Sequence, residues 1–202
     1  MATKTKTEII RHSFFANTEK PTGIIIPEVP VFVQANCSQS GSWILGEKNL
    51  GNENLQFFVL TFLFGQELNP YKDIEIPTGT IFFTPIDNTT LKPQLVYATK
   101  IKNQASGRKG SLANFGARVA ECVASGTDPR EVIWTAKFVN KSGSLPDGKL
   151  YNCAVIDFTY RTIQDEEESN LLNNCVLVLE DDTKLNKLQL STLPKFAELE
   201  AA

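Results

Sequence analysis

A chain of 202 residues with 42% hydrophobic and 21% charged side chains has the composition of one good-sized soluble domain, neither disordered nor fibrous. Its longest apolar run, Phe57 to Gly65, falls well short of the ~20 residues that span a bilayer, and the N-terminus has no secretory h-region. A cytoplasmic protein is therefore expected. The formal charge of −3 is unevenly spread: Asn88 to Ala120 holds six Lys/Arg and no acid, whereas Asp157 to the end holds ten Asp/Glu against four Lys/Arg. Such asymmetry points to a basic surface and an acidic C-terminal region.

Thirteen Phe against one Met and one His favour pleated, half-buried surfaces, so a mostly β fold is expected. The four cysteines, at 37, 122, 153 and 175, show no C-x-x-C spacing and read as small buried hydrophobes.

In chain order, residues 1–20 are polar and non-periodic, a flexible N-terminal arm. "TGIIIPEVPVFVQ" (22–34) is β-rich, but Pro27 and Pro30 confine it to a sheet edge or an extended peptide. "SGSWILGEKNLGNEN" (40–54) suggests a strand end and a turn around Trp43 to Leu45. "LQFFVLTFLFG" (55–65) is apolar on both alternating faces, as in a strand buried on two sides. The stretch 66–79, with Asn69-Pro70 and Pro77-Thr78-Gly79, reads as a long loop, followed by strands "TIFFTP" (80–85) and "QLVYATKIK" (94–102).

The period then changes. Leu112, Phe115, Val119, Cys122 and Val123 share one helical face, with Ser111 as N-cap and Gly126 just past the end. "DPREVIWTAKFVN" (128–140) and "LYNCAVIDFTYRT" (150–162) return to period two across the turn-rich loop "KSGSLPDGK" (141–149). Beyond Thr162, "QDEEESNLLNNCVLVLEDD" fits either a helix or an acidic turn leading into a strand, and the sequence does not decide between them.

Three strands, one main helix and two strands is the order of a five-stranded OB barrel, a fold that binds oligonucleotides on its strand 2–3 face and on loops L12 and L45. The division expected is an arm (1–20), an OB-like β domain (21–162) and an acidic C-terminal extension (163–202).

Catalytic signatures are weak. "GRKGS" (107–111) sets its basic residues before the last glycine, the wrong order for a phosphate loop of the form G-x-x-x-x-G-K-[ST]. His12 is the single histidine, so no nucleophile–histidine pair is visible, and one His with four scattered Cys makes no zinc set. The acidic runs 165–168 and 180–182 read as solvated carboxylates, because adjacent carboxylates diverge on a helix or a strand alike. Neither an enzyme, nor a cofactor, nor a metal site is expected.

Binding remains. Alternation in 94–102 sends Lys100 and Lys102 to one face, and Arg108 and Lys109 follow just before a helix N-terminus. With Lys137 these are the expected phosphate contacts, while Tyr97, Trp43 and Tyr151 are candidate platforms for stacking bases.

The run "SGSWILGEKNLGNENLQFFVL", then the basic loop and helix, then "DPREVIWTAKFV" and "LYNCAVIDFTYR", resembles the single-stranded-DNA-binding proteins of phages and plasmids over 38–162. That resemblance implies an OB-type barrel, sequence-independent binding of single-stranded DNA, and a part in replication or recombination. It also implies an acidic tail that docks partner proteins, although "LEAA" departs from the acidic-Phe ending that many such tails carry. DNA and RNA are not distinguished. The alternative is a homo-oligomeric structural or adaptor protein of a phage or plasmid particle, its 22–34 segment adding to a neighbour's sheet edge.

Overall fold

Alternation with large side chains on both sides demands cover on both faces, and the strand around Phe57 receives it. A computed structural model of the chain describes residues 23–38, 40–68, 75–86, 91–103, 110–144, 148–180 and 185–189, with side chains of 177–180 left aside. The fold is mostly β and holds two antiparallel sheets. A small one joins β1 (Val33–Asn36), β2 (Ser42–Leu45) and β3 (Lys48–Gly51) in order. The large one is built from β4 (Leu55–Leu68), β5 (Glu75–Pro85), β6 (Tyr97–Lys102), β7 (Ile133–Ser144) and β8 (Leu150–Arg161), in the order β6-β5-β4-β7-β8. Helix α1 (Ser111–Ala124) lies between β6 and β7 in sequence, and α2 (Glu166–Glu180) follows β8.

The two faces of the large sheet carry separate cores. Phe57, Val59, Ile81, Phe83, Trp134, Ile156 and Phe158 pack on one side with Leu112, Phe115 and Cys122 of α1 and with Val33 and Trp43 of the small sheet. Phe58, Leu60, Phe82, Ala98 and Ile133 pack on the other with Cys175 of α2, Ile24 and the helical stretch 185–189 through Leu185 and Leu188. Residues 163–180, left open by the sequence, are thus helical from Glu166, because Leu171, Leu172 and Cys175 find the second face of the sheet to cover. The helix starts on a cap: the Glu168 N–H donates to Asp165 Oδ1 at 2.9 Å, and three glutamates in the first turn suit the positive end of its dipole.

Two expectations are corrected. The supposed loop 66–79 is largely sheet, since β4 runs on to Leu68 and β5 starts at Glu75. Pro77 is tolerated because β6 ends at Lys102, opposite Thr78. Pro77 therefore sits in a two-stranded arm with one open side, paired only with Gln66. Ser111 is the first helical residue of α1 and not its cap; the cap position is Gly110. Asn103, from the end of β6, does the capping, its Oδ1 accepting the Gly110 N–H at 3.2 Å and the Ala113 N–H at 3.0 Å. The Ser111 Oγ instead accepts the Ile156 N–H at 2.9 Å, bolting α1 to β8.

No ladder joins β6 to β8 among the described residues, so these five strands form an antiparallel sheet without a closed barrel. Its two edges are bridged by the residues that flank β1. Ile25 and Phe32 make parallel bridges to Leu95 and Ala98 on the β6 side, and Ser38 makes an antiparallel bridge to Cys153 of β8. No described helix is long and apolar enough to cross a membrane.

Candidate nucleic-acid interface

Lys100 and Lys102 do project together. Both occupy exposed positions of β6, opposite Thr80 and Thr78, while the alternating Thr99 and Ile101 turn inward. Their ammonium groups lie 3.6 Å and 3.8 Å from the two carboxylate oxygens of Glu67, on the β4 side of the arm. All three side chains are well exposed, and ion pairs of this length and exposure contribute little to stability. An incoming phosphate can therefore compete for both lysines. Glu67 is not legible from the sequence as a partner, because Asn69-Pro70 and Pro77-Thr78-Gly79 give its stretch the look of a loop.

The β7–β8 hairpin is tied to the chain just after β1. Cys37 accepts the Ala154 N–H at 2.9 Å through its carbonyl. Its thiol is pushed up first by burial and then by Cys153, while Lys102 draws it down. Tyr151 lies two residues beyond Cys153 on the same face of β8, half-buried, its ring against Gly143. In the register of the large sheet, Tyr151 stands at the hairpin end of β8, whereas Lys100 and Lys102 stand at the arm end of β6.

Lys137 is exposed but sits opposite Asp157, six residues along β8 from Tyr151. At the rise of an antiparallel strand that is about 20 Å. Arg108 and Lys109 lie outside the described residues, as do His12 and residues 1–20.

Two of the stacking candidates are core residues. Trp43 is 3% exposed, its ring 4.7 Å from that of Phe138 and its Nε1 donating to the Glu53 carbonyl at 3.1 Å. Tyr97 is also 3% exposed, packed on Phe83 at 5.9 Å, with its hydroxyl accepting the Lys92 N–H at 3.0 Å. Neither ring offers a face to a base. Alternation assigns each to a side of its strand but cannot say that the side is covered, here by the small sheet and by the segment around Leu91. Phe64, on the arm, is 75% exposed, but it stands opposite Gly79 and Ile101 and so on the other face of the sheet from Lys100 and Lys102.

The rest of the strand 2–3 face, at Phe82 and Ala98, is closed by α2 and the N-terminal segment. A cleft of about 940 Å³ beside α2 is lined by Asp165, Glu166, Glu167 and Glu168 with Gln56, Gln94 and Arg161. Its four carboxylates make it hostile to phosphate. Arg161 is already engaged, donating to both oxygens of Glu168 at 2.5 Å and 2.9 Å. Among the described residues no group of three or more His, Cys, Asp or Glu is arranged to hold a metal ion. No protein-family model matches the chain, and neither the curated proteins nor the solved structures give a match to it.

Proposed function

We propose that the chain is an OB-like protein that binds single-stranded nucleic acid, without sequence preference and without catalysis, at the end of the large sheet where β6 stops. The observation that carries this reading is the lysine pair: Lys100 and Lys102 on one face of β6, held among the described residues by a long, exposed contact to Glu67. They lie inside a stretch of the chain, Asn88 to Ala120, that contains no acid.

The topology supports the OB-like part. The order β7-β4-β5-β6 is a Greek key, three hairpin-connected strands with a fourth returning beside the first, and the return connection carries α1. An OB fold is a partly open five-stranded Greek-key barrel with its ligand on the strand 2–3 face between loops L12 and L45. Here those correspond to the outer ends of β5 and β6, the β4–β5 arm and the β7–β8 hairpin. Phosphate contacts of this kind confer affinity and no reading of sequence. Binding of this type suits a cytoplasmic role in copying or recombining a phage, plasmid or bacterial genome, with the acidic α2 region free to meet partner proteins.

Fluorescence anisotropy of a labelled oligo-dT tests the proposal. Binding is expected at low salt and weakens steeply as salt is added. Replacing Lys100 and Lys102 together by Gln removes two phosphate contacts, so the slope of log K against log salt falls by about 1.4. Absence of binding by the wild-type chain at low salt overturns the reading.

The assembly reading keeps one favourable observation: Leu150 is 87% exposed and Val29 73% exposed, apolar surface that subunit contacts would cover. Against it, the 22–34 segment lies along the β6 side of its own sheet, through Ile25 and Phe32, and is not left for a neighbour. Light scattering that gives a large particle indifferent to DNA favours assembly.

A further inference from the structure

Resting on that reading, we infer that Glu67 is a built-in competitor at the lysine pair: its carboxylate holds the place a phosphate group takes, and must yield it before a strand can bind. Its two oxygens are divided between the two ammonium groups, Oε2 lying 3.6 Å from Lys100 Nζ and Oε1 3.8 Å from Lys102 Nζ. A phosphodiester likewise spreads one negative charge over a pair of free oxygens. The carboxylate therefore answers to it in charge and in shape.

The register of the arm brings the three groups together. On this face of the large sheet Lys102 stands in a row with Thr78 and Gly65, and Lys100 in the next row with Thr80 and Leu63. Glu67 belongs to the row beyond Lys102, opposite Ile76, where β6 has already ended. Both lysines thus lean along the strands toward one carboxylate, and Lys100 does so past the row of Lys102. Thr78 between them is short and buried, and Gly65 has no side chain to stand in the way. Bringing two ammonium groups to one point is unfavourable without a counter-charge. Among the described residues Glu67 is the acid in contact with either lysine.

Exposure decides that Glu67 competes more than it clamps. The side chains of Lys100, Lys102 and Glu67 are 50%, 55% and 37% exposed, and the separations exceed a hydrogen bond. Water screens contacts of this kind, so the carboxylate does little to fix the lysines. It stays tethered to the arm when a strand arrives, and there it repels a phosphate as strongly as it attracts an ammonium at the same distance. Affinity for a strand is thereby held below what the lysine pair alone would give.

Anisotropy titrations of labelled oligo-dT at low salt test this. Glu67→Gln is expected to bind about three- to tenfold more tightly than the wild-type chain, a gain that shrinks as salt screens the carboxylate. Glu75→Gln removes the same charge from the other face of the arm, opposite Leu68, and is expected to change affinity by less than about twofold. In the Lys100→Gln/Lys102→Gln background, Glu67→Gln is expected to bring no gain, because its partners are gone. An unchanged affinity for Glu67→Gln, while the wild-type chain binds, overturns the inference and leaves the proposed function standing. A weaker one does the same, and makes Glu67 a residue that positions the lysines. A gain that persists without the lysines, or that Glu75→Gln matches, belongs to net charge and also overturns the inference. A wild-type chain that does not bind oligo-dT overturns the proposed function and this inference with it.

Discussion

Replacing Glu168 by Gln keeps the shape of the side chain and removes its charge, and the consequence can be followed through one clamp. The Glu168 carboxylate accepts two hydrogen bonds from Arg161, at 2.5 Å and 2.9 Å, and a third from the Gln164 N–H at 2.9 Å. Its side chain is 13% exposed and that of Arg161 31%. A hydrogen bond to a charged group contributes about 1.5–3 kcal/mol when sheltered. Solvent at Arg161 screens part of this, so Glu168→Gln is expected to cost about 1–2 kcal/mol at pH 7. For a chain of this length the melting temperature should fall by about 2–8 °C.

The effect depends on pH in a definite sense. Hydrogen bonding from Arg161 holds the Glu168 carboxyl below its ordinary value, outweighing the opposing effect of burial. Its contribution is therefore complete above the usual glutamate pKa of about 4.3 and is lost as pH falls through the lower folded value. Urea unfolding followed by circular dichroism, on both chains from pH 7 downward, measures this. The gap between wild type and Glu168→Gln should be constant near neutrality and close in acid. A gap within the ~0.5 kcal/mol of an ordinary surface change at pH 7, or one that does not close in acid, refutes the reasoning.

Asn103→Ala removes the side chain that caps α1 from the end of β6, and should cost about 1–2 kcal/mol in the same urea assay. Thr99→Val should act in the opposite direction. The Thr99 hydroxyl is buried without a hydrogen-bond partner among the described residues, and removing such a group should stabilise the chain by about 1 kcal/mol, read as a raised urea midpoint.

Local pattern carried far in this chain where one face or one period sufficed. The helix over Leu112 to Val123 and the alternating strands around Phe57, Phe82 and Trp134 stand where their side-chain spacing puts them. The arm was hidden because Pro77 and Gly79 are ordinary turn residues. Their tolerance in a strand depends on where β6 ends and on the room Phe62 needs, neither of which is local. Residues 163–180 resisted for the same reason: Leu171, Leu172 and Cys175 suit two periods, and a second sheet face elsewhere in the chain selects the helix. At the candidate site, period two sent Lys100 and Lys102 outward together, but burial of Trp43 and Tyr97 follows from layers that only assembled structure supplies. Phe64 was legible as apolar; its exposure was not.

The bridges made by the residues that flank β1 bear on the order in which this chain acquires its structure. Ile25 meets Leu95 and Phe32 meets Ala98, while Ser38 waits for Cys153, 153 − 38 = 115 positions later. Contacts of such separation slow folding, because the intervening chain must be ordered before they form. Synthesis runs from the N-terminus at about 5–20 residues per second, so residues 23–38 emerge several seconds before their last partner exists. Until residues 95–98 emerge the Ile- and Val-rich stretch lacks its large-sheet partners, and until β8 emerges the Ser38 end has none there. A truncated chain ending before β8 should therefore be aggregation-prone in a way that the complete chain is not, and the segment made first is fastened last.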